Sequence, residues 1–342
     1  MTMRNTLLCA ALVGSTLATA TVQAEEVNVY SYRQEFLIRP LLDAFTEETG
    51  IKVNVVFAKS GLLERIEHEG RNTPADLFLT AGIGPLQDAV DRDLVAPIKS
   101  EVIEQNVPEH FRDPEGKWIG LTGRARIIYA SKERVQPGEV TTYEDLADPK
   151  WQGRVCTRSG KHNYNLSLIG SMIAHHGEAE TEQWLTALKA NLARKPQGAD
   201  RNQVKAIMEG ICDLALGNSY YYGKMVTNER EPEQKEWADS AFLIFPNQED
   251  RGTHMNISGA ALIKYAPHPE EAVKLVEWLT EEKAQEIYAS VNFEFPVRPN
   301  TPWSDLLKEK MGHFKADEIN LSEVAKYRDE AAKMVDRVGF DN

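Results

Sequence analysis

Short strand-like segments alternate with amphipathic helical segments along most of this sequence. Val27–Tyr30 is an apolar, β-favouring run, and the helical pattern of Leu37–Thr49 that follows it is ended by Gly50. Ile51–Val55 then alternates apolar and polar residues, as a second strand does. A new series begins after the turn-rich segment Asp113–Gly116. Such alternation predicts an α/β architecture with parallel or mixed sheets and helices on both faces.

The amino-terminal segment, residues 1–24, has the features of a secretory signal peptide. Arg4 gives it a positive start, an apolar stretch with small residues runs from Leu7 to Ala20, and cleavage is expected near Ala24. No later apolar run is long enough to span a membrane. We therefore expect an exported protein without stable membrane insertion.

Charge and length limit the classes of function. Removing Arg4 with the signal segment from the 39 basic side chains leaves 38 against 52 acidic ones, a net charge of −14. This balance opposes nucleic-acid binding, which depends on neutralising phosphates. The 318 residues that remain of 342 exceed one comfortable hydrophobic core, so two lobes are expected. Exported two-lobed proteins often close around a small ligand held in the cleft between the lobes.

Cys156 and Cys212 are the two cysteines left after removal of the signal segment. Both lie in strand-like segments, Gly153–Cys156 and Ile211–Leu216. An even number of cysteines in an oxidising compartment favours one disulfide, which would join neighbouring strands of one sheet. Two buried free thiols are the alternative.

Three consecutive tyrosines, Tyr220 to Tyr222, follow the second of these segments at a turn that contains Gly217 and Asn218. In α/β proteins, ligand-binding groups commonly follow the carboxyl ends of strands. Phenolate oxygen is a hard, anionic donor and suits a hard, highly charged cation. The alternative is that these tyrosines alternate between the two faces of a strand.

Several further segments carry a family resemblance through their order and spacing. They are Val29–Gln34, Gly120–Arg126, Arg158–Ser159 with Tyr164–Asn165, Gly217–Tyr222 and Arg251–Gly259. In these segments the chain resembles the ferric-ion-binding periplasmic proteins that supply iron to ABC transporters, over essentially its whole exported length. The resemblance implies a type II periplasmic-binding-protein fold, with two α/β lobes of mixed sheets joined by two crossover strands around a ligand cleft. It also implies a periplasmic, monomeric protein without catalytic activity that delivers Fe³⁺ to an ABC permease in the inner membrane.

The same resemblance sets the expected lobe boundaries. Residues 25–122 and about 252–300 are expected to form the N-terminal lobe. Residues from about 128 to 246 and 301–342 are expected to form the C-terminal lobe. The hinge strands are expected near residues 121–129 and 245–258.

Matched residue by residue, Tyr164, Tyr220 and Tyr221 take the positions of the family's phenolate ligands to Fe³⁺. Some members of the family add a His-Tyr pair from the first lobe, but Gln34 and Glu35 occupy those positions in this chain. The resemblance therefore implies the branch that completes the metal's coordination with a synergistic anion, commonly carbonate.

A bound anion restores negative charge to a neutral cluster of Fe³⁺ and three phenolates, so it needs cationic partners. Arg33 offers a planar pair of donors to such an anion, and Arg124 is a second candidate. Gln34 is a further donor. Tyr32 and Arg126 are expected close to the site without an assigned contact to the metal.

Two other classes of function stay open at this stage. The cleft could bind another solute (a polyamine, thiamine or an oxyanion such as sulfate), or the chain could be an exported enzyme on the same scaffold. No Gly-x-Ser-x-Gly or His-Glu-x-x-His motif supports the enzyme. His175 and His176 are a poor metal pair, because adjacent residues on a helix point in different directions.

Overall fold

The computed structural model describes residues 25–342, and the predicted signal peptide, residues 1–24, lies outside them. The first part of the described chain forms β1 (Glu26–Ser31), α1 (Glu35–Thr49), β2 (Lys52–Phe57), α2 (Leu62–Glu69), β3 (Leu77–Ala81), α3 (Ile83–Asp91), β4 (Val95–Ala96), α4 (Glu101–Asn106) and β5 (Ile119–Ser131). The middle part forms β6 (Val155–Cys156), α5 (Asn163–His176), α6 (Glu178–Ala190), α7 (Asp200–Met208), β7 (Leu214–Asn218), α8 (Tyr220–Val226), α9 (Glu233–Asp239) and β8 (Ala241–Ile244). The last part forms β9 (Met255–Ile263), α10 (Pro269–Thr280), α11 (Glu282–Ile287), a π-helix (Tyr288–Asn292), β10 (Phe295–Pro296), α12 (Asp305–Met311), α13 (Leu321–Lys326) and α14 (Arg328–Val338).

The strands form a mixed sheet in the order β2-β1-β3-β9-β5-β7-β6, so the α/β prediction is confirmed. β1 is parallel to β2 and β3, whereas β9 is antiparallel to β3 and β5. On the other side, β7 is antiparallel to β5 and parallel to β6. The short strands β8 and β10 pair with β5, and β4 pairs with β9.

Strand β5 joins the two halves of this sheet. All 13 of its residues are buried. Its first part, Ile119–Ala125, pairs with β9, and its second part, Arg126–Ala130, pairs with β7. The strand therefore leaves one half of the sheet and enters the other within the range predicted for the first hinge strand. The lobe boundaries around it stay a prediction.

Helix α1 illustrates how the hydrophobic pattern produces the packing. Its buried residues, Ile38, Leu41, Leu42 and Phe45, recur at the spacing of one helical face. The helix ends at Gly50, whose φ of 75° is in the left-handed region that glycine enters without strain. Among residues 25–342, no helix combines the length and the apolar character needed to cross a membrane.

The segment before the tyrosines differs from its prediction in two respects. The strand begins at Leu214 rather than at residue 211. The reason is that residues 210 and 211 still close the turn that ends α7, where Gly210 N donates to Ile207 O at 3.0 Å. The carboxylate of Asp213 accepts hydrogen bonds from Arg154 Nε at 2.5 Å and from Arg134. The tyrosines themselves open helix α8, so the alternative that they alternate along a strand is wrong.

A disulfide joins Cys156 to Cys212, with 5.9 Å between their Cα atoms, and the predicted bridge is confirmed. Cys156 lies in β6, and Cys212 lies two residues before β7, the strand that pairs in parallel with β6. The bridge therefore fixes the edge of the half-sheet whose strand β7 leads into the tyrosines of α8.

Removal of this bridge is expected to destabilise the protein without changing its fold. The bond closes a loop with a sequence separation of 56 residues. Loss of such a loop constraint costs about 4 kcal/mol in the chain-entropy description. Urea unfolding of Cys156→Ala/Cys212→Ala should show this loss, and wild type in reducing agent should show the same loss. Equal midpoints for wild type and the double variant would contradict the prediction.

Candidate metal centre

Tyr220 and Tyr221 occupy the first turn of α8, directly after β7. The ring centroids of the two side chains are 4.1 Å apart, and the planes are tilted by 30°. Two backbone hydrogen bonds fix the residues between β7 and α8. Ser219 N donates to Ala125 O at 3.0 Å, and Asn218 N donates to a carboxylate oxygen of Asp200 at 2.8 Å. Both phenols therefore project from a fixed junction between a strand and a helix.

Tyr164 lies in the first turn of α5, the second helix that reaches the site. Its backbone N–H donates to Nδ1 of the capping residue His162 at 3.2 Å, and the two rings meet edge to face at 4.5 Å. Burial, followed by the charge of Arg158, lowers the pKa of His162 to about 3, so this imidazole is neutral at pH 7. The cap thus orients Tyr164 without adding charge to the site.

Arg124 brings the two groups of tyrosines together. Its Nη1 donates to Tyr164 Oη at 3.4 Å. Its guanidinium carbon lies 5.5 Å from the ring centroid of Tyr164 and 5.9 Å from that of Tyr220. The side chain is only 1% exposed, and its Nε has no hydrogen-bond partner. A buried donor of this kind, next to three phenols, is suited to an anionic ligand.

The two phenols on α8 resist ionisation in the unliganded protein. Burial, followed by the neighbouring Tyr164 and Tyr221, raises the pKa of Tyr220 well above its usual value. Burial, followed by Tyr164 and Asp200, likewise raises the pKa of Tyr221. These phenols are therefore neutral at pH 7, and a metal that binds to their oxygens has to displace the protons.

Arg126 supports the site from behind. Its Nη1 is 2.7 Å from an oxygen of Asp200, and its Nη2 donates to Asn165 Oδ1 at 2.6 Å. Arg158 reaches the other oxygen of Asp200 at 3.0 Å. Burial opposes the charged form of Asp200, but Arg126 and Arg158 outweigh it and lower the pKa of this carboxyl. Arg126 thus lies next to the tyrosines, as expected, but its side chain donates hydrogen bonds to Asp200, Asn218 and Asn165.

The predicted groups of the first lobe reach the same cleft with different contacts. Both terminal nitrogens of Arg33 bind the carboxylate of Glu294 at 3.2 Å. Gln34 is exposed just before α1 and makes no side-chain cap to that helix. Tyr32 Oη accepts hydrogen bonds from the backbone N–H groups of Leu62 (3.0 Å) and Leu63 (3.4 Å), so this phenol is bound to the start of α2.

A cleft of about 780 Å³ contains the predicted residues from both halves of the sheet. The members that sequence matching identified are Tyr32, Arg33, Gln34, Arg124, Tyr164, Tyr220 and Tyr221. Among residues 25–342, no group of three or more His, Cys, Asp or Glu side chains could hold a metal ion.

Sequence reasoning missed three residues of this region. Glu294 lines the cleft, and the hydroxyl of Thr122 donates to the Glu294 carboxylate at 2.9 Å. Asp200 forms ion pairs with Arg126 and Arg158. Glu294 and Asp200 belong to none of the segments that carry the resemblance, and Thr122 lies in one of them, Gly120–Arg126, without a signal for its contact to Glu294. Glu294 lies 261 positions from Arg33 in the chain.

The fold and the cleft define a class of binding proteins with two half-sheets joined through a buried strand. The family described as bacterial extracellular solute-binding protein matches residues 30–286, and the chain belongs to this family. It is a binding protein and not an enzyme, as the resemblance implied, and the type II periplasmic-binding-protein fold is confirmed.

Individual relatives agree with the predicted resemblance to ferric-binding proteins. The chain is 43% identical to iron uptake protein A1 of Synechocystis, over 93% of this chain and 88% of that protein. The ferric iron-binding protein A of Mannheimia haemolytica, solved in an open conformation, has 51% identity and a TM-score of 0.88 over 93% of this chain and 100% of that one. A Trichodesmium protein solved with iron and citrate ligands has 42% identity and a TM-score of 0.88 over 92% and 99%. The resemblance to ferric-binding proteins is confirmed.

The buried charge cluster behind the tyrosines generates a stability prediction. Asp200→Asn leaves the charges of Arg126 and Arg158 without their carboxylate in a buried site, which should cost about 3 kcal/mol. Chemical denaturation measures the loss. The matched control is Asp239→Asn, which removes a carboxylate 87% exposed and paired with Lys132, and no measurable change is expected there. Similar stability for the two variants would show that the buried cluster contributes nothing.

Proposed function

We propose that this protein captures Fe³⁺ in the periplasm through the phenolates of Tyr164, Tyr220 and Tyr221 and delivers it to an ABC permease. The observation that carries the proposal is the arrangement of these tyrosines around the buried guanidinium of Arg124. The names of the relatives, which are iron uptake and ferric iron-binding proteins, support the choice of iron as the transported ligand.

A synergistic anion completes the proposed site. Three phenolates cancel the charge of Fe³⁺ and leave part of its coordination unfilled, which a carboxylate-like anion such as carbonate can occupy. Arg124, with its unpartnered Nε, is the anion's main partner in this proposal. Arg33 and Gln34 lie on the facing wall of the same cleft and are proposed as further contacts.

Closure of the two lobes accompanies loading in this proposal. The N-terminal lobe comprises residues 25–122 and about 252–300, and the C-terminal lobe about 128–246 and 301–342. The hinge strands lie near residues 121–129 and 245–258, and the protein acts as a monomer. Guanidinium groups line the cleft on both sides, which disfavours a polyamine as the alternative ligand because like charges repel.

Visible absorption tests the ligand set. Titration of the iron-free protein with a chelated ferric salt, in the presence of bicarbonate, should produce a tyrosinate-to-iron band that saturates at one iron per chain. Tyr220→Phe and Tyr221→Phe each remove a ligand. Because loss of a group that only orients a ligand already costs 10–100-fold, binding should weaken by at least about 100-fold.

Tyr222→Phe is the matched control for this experiment. Tyr222 follows the two proposed ligands in α8, but its position is not that of a family ligand. The variant should keep the band and the affinity of wild type. A wild-type protein that gives no band with any anion, or a band that survives removal of both proposed ligands, would overturn the proposal.

Iron retention should fall as the pH falls from 8 to 5. The raised pKa values of Tyr220 and Tyr221 mean that both phenols hold their protons throughout this range when the site is empty. Loading therefore releases protons, and each released proton weakens binding about tenfold per pH unit lost. Competition against one chelator should give a shallower slope for Tyr221→Phe than for wild type, by about one proton. Equal slopes would exclude Tyr221 as a ligand.

A further inference from the structure

Glu294 is a buried carboxylate that the backbone fixes inside the cleft. It follows the π-helix Tyr288–Asn292 and Phe293, whose φ of 58° is uncommon for a residue with a side chain. Directly after it, β10 pairs with Thr122 and Gly123 of β5. The unusual conformation of Phe293 is held on one side by this pairing and on the other by close packing against α8 at Gly223, where an added Cβ would lie 2.3 Å from the Phe293 ring.

The contacts of Glu294 resemble those of a bound anion. Its carboxylate accepts hydrogen bonds from both terminal nitrogens of Arg33 at 3.2 Å and from the hydroxyl of Thr122 at 2.9 Å. Arg124 Nε lies 4.0 Å from its other oxygen. Arg33 and Glu294 are only 4% and 3% exposed at their side chains. Arg33 also donates to Ser258 Oγ, so both terminal nitrogens bind within the protein, whereas its Nε has no hydrogen-bond partner.

This carboxylate changes the charge that the cleft offers to an incoming anion. Five cationic side chains and three carboxylates line the cleft, a net charge of +2: Arg33, Arg124, Arg201, Lys224 and Arg230 against Glu229, Glu231 and Glu294. Without Glu294 the wall would carry +3, and the added charge would lie beside Arg33 and Arg124. A neutral cluster of Fe³⁺ and three phenolates adds nothing to this balance.

We infer that Glu294 is the residue that determines which anion the site accepts, by occupying Arg33 and limiting the positive charge around the anion. The inference rests on the proposed function, because it concerns the anion that accompanies Fe³⁺. Bicarbonate, of low charge, is favoured over citrate, of high charge, whereas carbonate and hydrogen phosphate carry equal charge and are not separated by this effect. Glu294 acts through Arg33 and Arg124, so it is a positioning residue and is not proposed as a ligand of the metal.

The test compares the anion preference of wild type and Glu294→Gln. Glutamine keeps the size and the hydrogen-bonding capacity of the side chain but removes its charge. Iron-free protein is titrated by calorimetry with bicarbonate, phosphate and citrate, and the same anions are compared in the visible titration with ferric salt. In the variant, affinity for phosphate and for citrate should rise relative to bicarbonate by roughly tenfold for each additional negative charge.

Two further variants separate charge from disruption. Glu294→Asp keeps the negative charge with a shorter side chain, so its anion preference should stay that of wild type. Asp239→Asn removes a carboxylate that is 87% exposed, paired with Lys132 and outside the cleft, and should leave the preference unchanged. Thermal unfolding followed by circular dichroism establishes that each variant is folded.

The outcomes distinguish this inference from the proposed function. An unchanged order of anions in Glu294→Gln, or an equal gain for all three, overturns the role of Glu294 even where the iron band is present. Loss of the band in wild type with every anion overturns the proposed function, whereas the iron-free calorimetry still decides the anion preference. If Glu294→Gln does not fold, Glu294→Asp decides: a shift toward phosphate and citrate at unchanged net charge also overturns the inference.

Discussion

The buried positive charge on β5 is the constraint on which the rest of the site depends. Arg124 and Arg126 are both about 1% exposed, in a strand that is buried along its whole length. A guanidinium cannot lose its proton, so a buried one requires anionic or hydrogen-bonding partners from the surrounding elements. Arg126 obtains them from Asp200 and Asn165, at the starts of α7 and α5. Arg124 has a phenol, a backbone carbonyl and, at 4.0 Å, the carboxylate of Glu294. The helices that surround β5 therefore supply the partners that the buried arginines require.

The same requirement explains why the tyrosines meet. Asp200, which compensates Arg126, also accepts a hydrogen bond from Asn218 N at the end of β7, two residues before Tyr220. Asn165, which binds Arg126 as well, follows Tyr164 in α5. One buried ion pair therefore fixes both helix starts that carry the phenols. Since the two helices belong to distant parts of the chain, the spacing of the phenols is set by this charge cluster and by the strand pairing rather than by any local turn.

The sequence allowed much of the fold and the tyrosine set to be predicted, because alternating strand and helix patterns and adjacent tyrosines are local signals. The disulfide could also be predicted, since only two cysteines remain in the exported chain. The start of β7 was misplaced because residues 210 and 211 hydrogen-bond to the end of α7, although their apolar pattern continues that of the strand. Glu294 was missed for a related reason. Its position depends on the pairing of β10 with β5 and on the positive φ of Phe293, and no local sequence pattern predicts either of them.

Electrostatic balance connects the empty and the loaded forms of the proposed site. In the unliganded protein the phenols on α8 are neutral because burial raises their pKa values, and the carboxylate of Glu294 binds Arg33. Exchange of three phenolic protons for Fe³⁺ leaves the charge of this cluster unchanged. In the proposed site the anion is then the single step that alters the charge of the cleft, and Arg124 and Arg33 are buried cations of the cleft whose Nε atoms have no hydrogen-bond partner. The proposal therefore assigns selectivity for the anion to the arginines and Glu294, and affinity for the metal to the tyrosines.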